Sequence, residues 1–142
     1  MATGGRLARM ANCWAARTSL SGPGLLRSYI ESNLAFMKEH RNYMVAIVEI
    51  SRGGLTADSQ ERFYGSADVD EAVQILEQHL ANFQSASELR PDFNPRVMAV
   101  AIRAAIDAVP RRLAHDPDLN VESYAGEIAN LFRRAPDPEA NV

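Results

Sequence analysis

One cysteine and one tryptophan are all that this chain of 142 residues has of either. Cys13 cannot close an internal disulfide, so a reducing, cytoplasmic setting is the expectation. No uninterrupted apolar run approaches the roughly 18 residues of a membrane-spanning helix. Glycine-rich phosphate loops, the dinucleotide glycine fingerprint, an HExxH pair and a GxSxG elbow are all missing, which removes the commonest nucleotide, zinc-protease and serine-hydrolase chemistries. His40, His79 and His115 are far apart, and with a lone cysteine they do not make a structural zinc site. No catalytic group, metal or cofactor is expected.

What is present is ordinary for a globular protein: 46% of residues are hydrophobic and 23% charged, enough for one domain around one core. The net charge of −3 is unevenly spread. Residues 1–24 contain Arg6, Arg9 and Arg17 and no acids, which leaves 12 bases and 18 acids, or −6, for the rest. An acidic body repels phosphate and argues against DNA binding by charge alone.

Along the chain, Leu7, Met10, Ala11 and Trp14 can line one face of a short basic helix, or the segment is a tail. Ser21-Gly22-Pro23-Gly24 reads as a hinge that interrupts any helix. From Leu25 to Ser51 the residues Leu26, Ile30, Leu34, Met37, Met44 and Val48 recur at helical spacing, and Gly53-Gly54 ends that helix. His40 and Arg41 interrupt the stripe. His40 reads as a histidine packed in or snorkelling from the core before it reads as a catalytic group. Residues 56–64 suggest a brief helix with Phe63 and Tyr64. Asp68 with Glu71 suggests a capping box for a helix carrying Val69, Val73, Leu76, Leu80 and Phe83.

Asn94-Pro95 is a strong start signal, with asparagine as cap and proline where its missing N–H costs nothing. The helix it starts has a bulky stripe, Met98, Ile102, Ile106, Val109 and Leu113, beside a small one, Val97, Ala101, Ala104, Ala105 and Ala108. Pro110 must kink it or end its regular part. His115 is placed to satisfy terminal carbonyls, and Asp107, Asp116, Asp118 and Glu122 read as solvated charge. Asn120 can cap a last helix in which Val121, Tyr124, Ile128, Leu131 and Phe132 share a side. No alternation long enough for a sheet is present, so the fold class is all-α.

The string Ser87-Glu88-Leu89-Arg90-Pro91-Asp92-Phe93-Asn94-Pro95 resembles the joint between the long central helix and the first dimerisation helix of TetR-type transcriptional regulators. Val97 to Asp107 continues the likeness, and Tyr124-Ala125-Gly126-Glu127-Ile128-Ala129-Asn130-Leu131-Phe132 is similar to the last helix of that family. Phe36-Met37 with Glu39-His40-Arg41 is similar to its first long sensor helix. Ser87 and Asn94 stand where glycine and aspartate are frequent.

Residues 1–24 read as a basic tail and linker, and Pro136 and Pro138 suggest a disordered tail over 136–142; the resemblance implies a ligand-binding and dimerisation domain over 25–135. It implies a homodimer in which two helices, about 95–113 and 120–134, form a four-helix bundle with their copies. The expected interface is Ala101, Ala104, Ala105 and Ala108 with Tyr124, Ile128, Leu131 and Phe132. It also implies a small apolar or amphipathic effector, with Phe36, Met37, His40, Tyr43, Met44 and Ile47 and then Phe63, Tyr64, Phe83 and Met98 as candidate liners. The family's helix-turn-helix head would have to fit before Leu25 and does not, so DNA contact would need a head supplied by a longer chain or partner. The alternatives are a headless protein that pairs with a full-length regulator, and a small helical ligand-binding protein or enzyme.

Overall fold

The computed structural model describes residues 22–52 and 66–135. The basic segment before Gly22, the suggested helix at 56–64 and the tail after Ala135 lie outside the described residues. Those described form six helices and no strand: α1 (Gly22–Glu39), α2 (Arg41–Arg52), α3 (Ser66–Ser85), α4 (Pro95–Asp107), α5 (Val109–His115) and α6 (Val121–Arg134). None is long and apolar enough to cross a membrane. The all-α expectation holds.

Helix α1 is the hub. Leu25, Leu26, Tyr29, Ile30, Leu34 and Met37 are buried along it, with Ile30 and Leu34 fully so. Helix α6 lies along one side of α1, and α4 crosses another. The face that α6 turns to the core is Val121, Ala125 and Ala129, spaced four apart. Small side chains let the two axes come close. Tyr124, Ile128 and Phe132 pack at the edge of this contact, and Leu131 points away. Helix α3 packs on α4 through Val73, Leu76 and Leu80, and Arg96 Nη1 donates to Glu77 Oε2 at 3.1 Å across the pair.

Gly22-Pro23-Gly24 is not a hinge but the first turn of α1. Proline is tolerated there because the first N–H groups of a helix have no partner within it. The N–H of Gly22 instead donates to Glu88 Oε2 at 2.8 Å, and a carboxylate at that end also suits the helix dipole. Glycine suits the close approach: a Cβ on residue 22 would sit 3.1 Å from Phe83 Cγ and 3.2 Å from Leu89 Cγ, tight enough that those side chains would have to give by a few tenths of an ångström.

The expected single helix over 25–51 is broken by a turn at His40. Backbone hydrogen bonds still bridge the turn, from His40 to Phe36 and from Met44 to His40, each 3.0 Å. The next rod breaks likewise at Ala108, whose N–H reaches Ala104 at 3.1 Å, before Val109-Pro110 begins α5. Beyond these two breaks α2 packs on α5. Arg41 Nη2 donates to the carbonyl of Asp116 at 2.9 Å and of Leu113 at 3.5 Å. A cation from another helix thus satisfies carbonyls at the end of α5, a distant pairing that local sequence does not announce. Helix α3 starts at Ser66, two residues ahead of the expected Asp68.

Two caps stand where the sequence puts them. Asn94 accepts from the N–H groups of Arg96 and Val97, and Asn120 from that of Ser123. The end of α3 is a Schellman turn: Glu88 N–H returns to the Phe83 carbonyl at 2.9 Å and Ser87 N–H to Gln84 at 3.0 Å. Ser87 therefore has φ 59°, the left-handed region that glycine enters freely. Ser87→Gly is expected to stabilise the fold by about 1 kcal/mol, read as a rise in the urea midpoint at unchanged m-value.

Candidate functional site

Helix α4 has two faces with different fates. Its bulky stripe turns inward, with Ile102, Ile106 and, beyond the break, Val109 and Leu113 buried. Its small stripe turns outward: Ala101, Ala104 and Ala108 are exposed and Ala105 half-buried. Val97 is 66% exposed and Val100 48%. On α6 Leu131 is also 66% exposed, with Tyr124, Ile128 and Phe132 half-buried nearby. Between the two helices runs an open cleft of about 330 Å³ lined by Phe93, Val97, Met98, Ala101, Leu131 and Phe132. The eight residues expected at a subunit interface thus lie on α4, its break and α6, and none is in the core's fully buried set.

Of the ten candidate effector liners, the eight that are described do not form one group. Met37 is a buried core residue. Phe36, His40, Tyr43, Met44 and Ile47 gather around the joint between α1 and α2, where the Phe36 and His40 rings lie 4.3 Å apart, tilted by 54°. Tyr43 is half exposed, and Met44 packs against the core. Phe83 instead touches the start of α1 beside Gly22. At about 1.5 Å per residue, 14 residues of α1 put Phe36 about 21 Å further along the helix. Met98 lies in the cleft between α4 and α6. Phe63 and Tyr64 are outside the described residues.

A polar cluster that the sequence did not single out lies between α1 and α4. Arg103 is 7% exposed, in the middle of the apolar face of α4. Its Nη1 donates to the Tyr29 hydroxyl at 3.1 Å and to Asn33 Oδ1 at 3.3 Å. Its Nε donates to Asp107 Oδ2 at 3.3 Å, and Nη2 to Asp107 Oδ1. Asn33 in turn donates to the Tyr29 carbonyl at 2.8 Å. Burial works to lower the Arg103 pKa, but the hydrogen bond to Asp107 and the Tyr29 phenol outweigh it and hold the value above the ordinary one. Asp107, expected as solvated surface charge, is exposed and is at the same time the counter-ion of a buried cation. The Arg-x-x-x-Asp spacing within an apolar helix was the available signal; Tyr29 and Asn33 lie 74 and 70 residues away in sequence.

A second open groove, of about 580 Å³, runs between α1 and the start of α6. Ala35, Val121 and Ala125 line it together with Glu31, Glu39, Glu122 and Lys38. Lys38 bridges to Glu122, and its hydrogen bond and charge hold the Glu122 carboxyl below the usual carboxylate range. Among the described residues no group of three His, Cys, Asp or Glu is placed to hold a metal ion. In comparisons with known proteins, no family model, no curated protein and no solved structure matches the chain.

Removing Asp107 strands a buried guanidinium. Asp107→Ala is expected to lower stability by about 1–2 kcal/mol, less than the 3–5 kcal/mol of a fully buried pair because Asp107 reaches solvent. Adding Arg103→Met should recover part of that loss. A double-mutant cycle by urea denaturation measures the coupling; strictly additive effects would mean the two side chains do not act as a pair.

Proposed function

We propose that the chain is the effector-sensing and dimerisation body of a TetR-like transcriptional regulator, acting by binding and not by catalysis. The observation that carries this reading is the outward apolar face of α4 and α6. Val97, Val100 and Leu131 are large apolar side chains held at the surface next to a row of alanines. Contiguous apolar surface of this kind marks interaction sites, and alanine lets a partner helix come close. The resemblance assigns these same two helices to the subunit contact. Two helices from each copy make a four-helix bundle, the arrangement by which a stable interface of roughly 800 Å² per partner can form.

The effector in this proposal is small and apolar or amphipathic. What supports it is the half-exposed set at the α1–α2 joint, Phe36, Tyr43, Met44 and Ile47. Methionine and aromatic rings adapt to varied apolar shapes, and the Tyr43 hydroxyl can orient one polar group. The acidic body is suited to sensing, with DNA contact left to a head on a longer chain or a partner. The same face would serve the alternative, pairing with a full-length relative, since dimeric DNA readers need two half-site contacts.

Native mass spectrometry of the purified chain tests the reading, because it gives subunit count and retained mass together. A dimer is expected, with added small-molecule mass when effector is carried along. Val97→Glu with Leu131→Glu should weaken association at least about 100-fold, about 2.7 kcal/mol, at unchanged helical circular dichroism. A wild-type monomer over the micromolar range would contradict the homodimer. Dimerisation only after mixing with a longer relative would instead favour heterodimeric pairing.

A further inference from the structure

The groove between α1 and α6 has an apolar floor and an acidic rim. Ala35 and Ala125 are small and Val121 is the first residue of α6, so a bulky side chain can settle between the helices. Three carboxylates, Glu31, Glu39 and Glu122, stand around this floor; Lys38 pairs with Glu122 and Arg27 with Glu31 at 2.8 Å, which leaves the rim at −1, with Glu39 as its surplus carboxylate. The occupant such a groove suits is a short amphipathic segment with one large apolar side chain and a net positive charge.

This chain contains one. Residues 1–21 carry Arg6, Arg9 and Arg17 and no acid, while the chain from residue 25 onward carries −6. At helical spacing Leu7, Met10, Ala11 and Trp14 share one side, flanked by the arginines. The reach is sufficient. Ala35 lies 13 residues along α1 from Gly22, about 20 Å, and the eight residues from Trp14 to Gly22 span about 26 Å when extended.

We propose that the basic segment around Trp14 docks into the α1–α6 groove of its own chain, with Trp14 over Ala35 and Ala125 and the arginines on the glutamate rim. The partner is therefore intramolecular, held by apolar contact and by charge that salt weakens. The groove lies apart from the outward α4–α6 face, so the docking does not rest on the dimer reading.

Trp14 is the chain's one tryptophan, so its fluorescence reports the docking directly. In the full chain the emission should be blue-shifted, with acrylamide quenching several-fold below that of free tryptophan amide. Ala35→Arg, at an exposed helix position, should restore free-like quenching while circular dichroism and melting temperature stay unchanged. Glu39→Lys should do so in part, and Arg9→Glu with Arg17→Glu should reverse that partial loss in the Glu39→Lys background. Free-like quenching in the wild type would overturn the proposal, as would protection that Ala35→Arg leaves intact. Protection lost on dilution would overturn the intramolecular form, since docking within one chain is independent of concentration.

Discussion

A guanidinium can be taken out of water only where hydrogen-bond acceptors meet it, and Arg103 meets three side chains, Tyr29 and Asn33 on α1 and Asp107 one turn on along α4. Apolar contacts between α1 and α4 tolerate small slides, because one methyl group can replace another. The Arg103 contacts do not. Moving α4 by one residue would break the bonds from Arg103 Nη1 to the Tyr29 hydroxyl and to Asn33 Oδ1 and leave a buried charge short of acceptors. The register of α4 on α1 is fixed there, and with it the rotation of α4 about its own axis. Ile102 and Ile106 must then point inward, and Val97, Val100, Ala101 and Ala104 must point out. The exposed apolar face is a consequence of the same geometry that builds the core.

The two breaks in the long rods have a related logic. His40 ends α1 and Ala108 ends α4, and beyond them α2 and α5 pack on each other. Pro110 removes one backbone donor, and at the break before it Ala108 is αR, at φ −75° and ψ −20°. Arg41 then ties the start of α2 to the end of α5. Val109 and Leu113 stay within the main cluster, so the second pair of helices shares the core of the first.

Much of this arrangement is legible in the residues. Asn94 and Asn120 act within three residues of themselves, and the bulky and small stripes of α4 depend on helical period alone, so local rules reach them. The resemblance concentrates on the loop from Ser87 to Asn94 and on α4 and α6, the segments whose exposed faces support the proposed contact. Other features were out of reach because their causes are distant in sequence. Gly22 looks like a helix breaker until Phe83, Leu89 and Glu88 come up against it. Asp107 looks like surface charge alone until Arg103 is buried against it, and Arg41 looks like an interruption until the end of α5 lies beside it. In each case a tertiary partner reverses the meaning of a local signal.

The central claim is that the face carrying Val97 and Leu131 is the contact between copies. Hydroxyl-radical footprinting across a dilution series, with residue-level mass analysis, tests it at the side chains themselves. The account predicts that Val97 and Leu131 are protected at high concentration and gain reactivity together as the protein is diluted, while half-exposed Tyr43 keeps a constant rate. Equal labelling of Val97 and Leu131 at every concentration would contradict it.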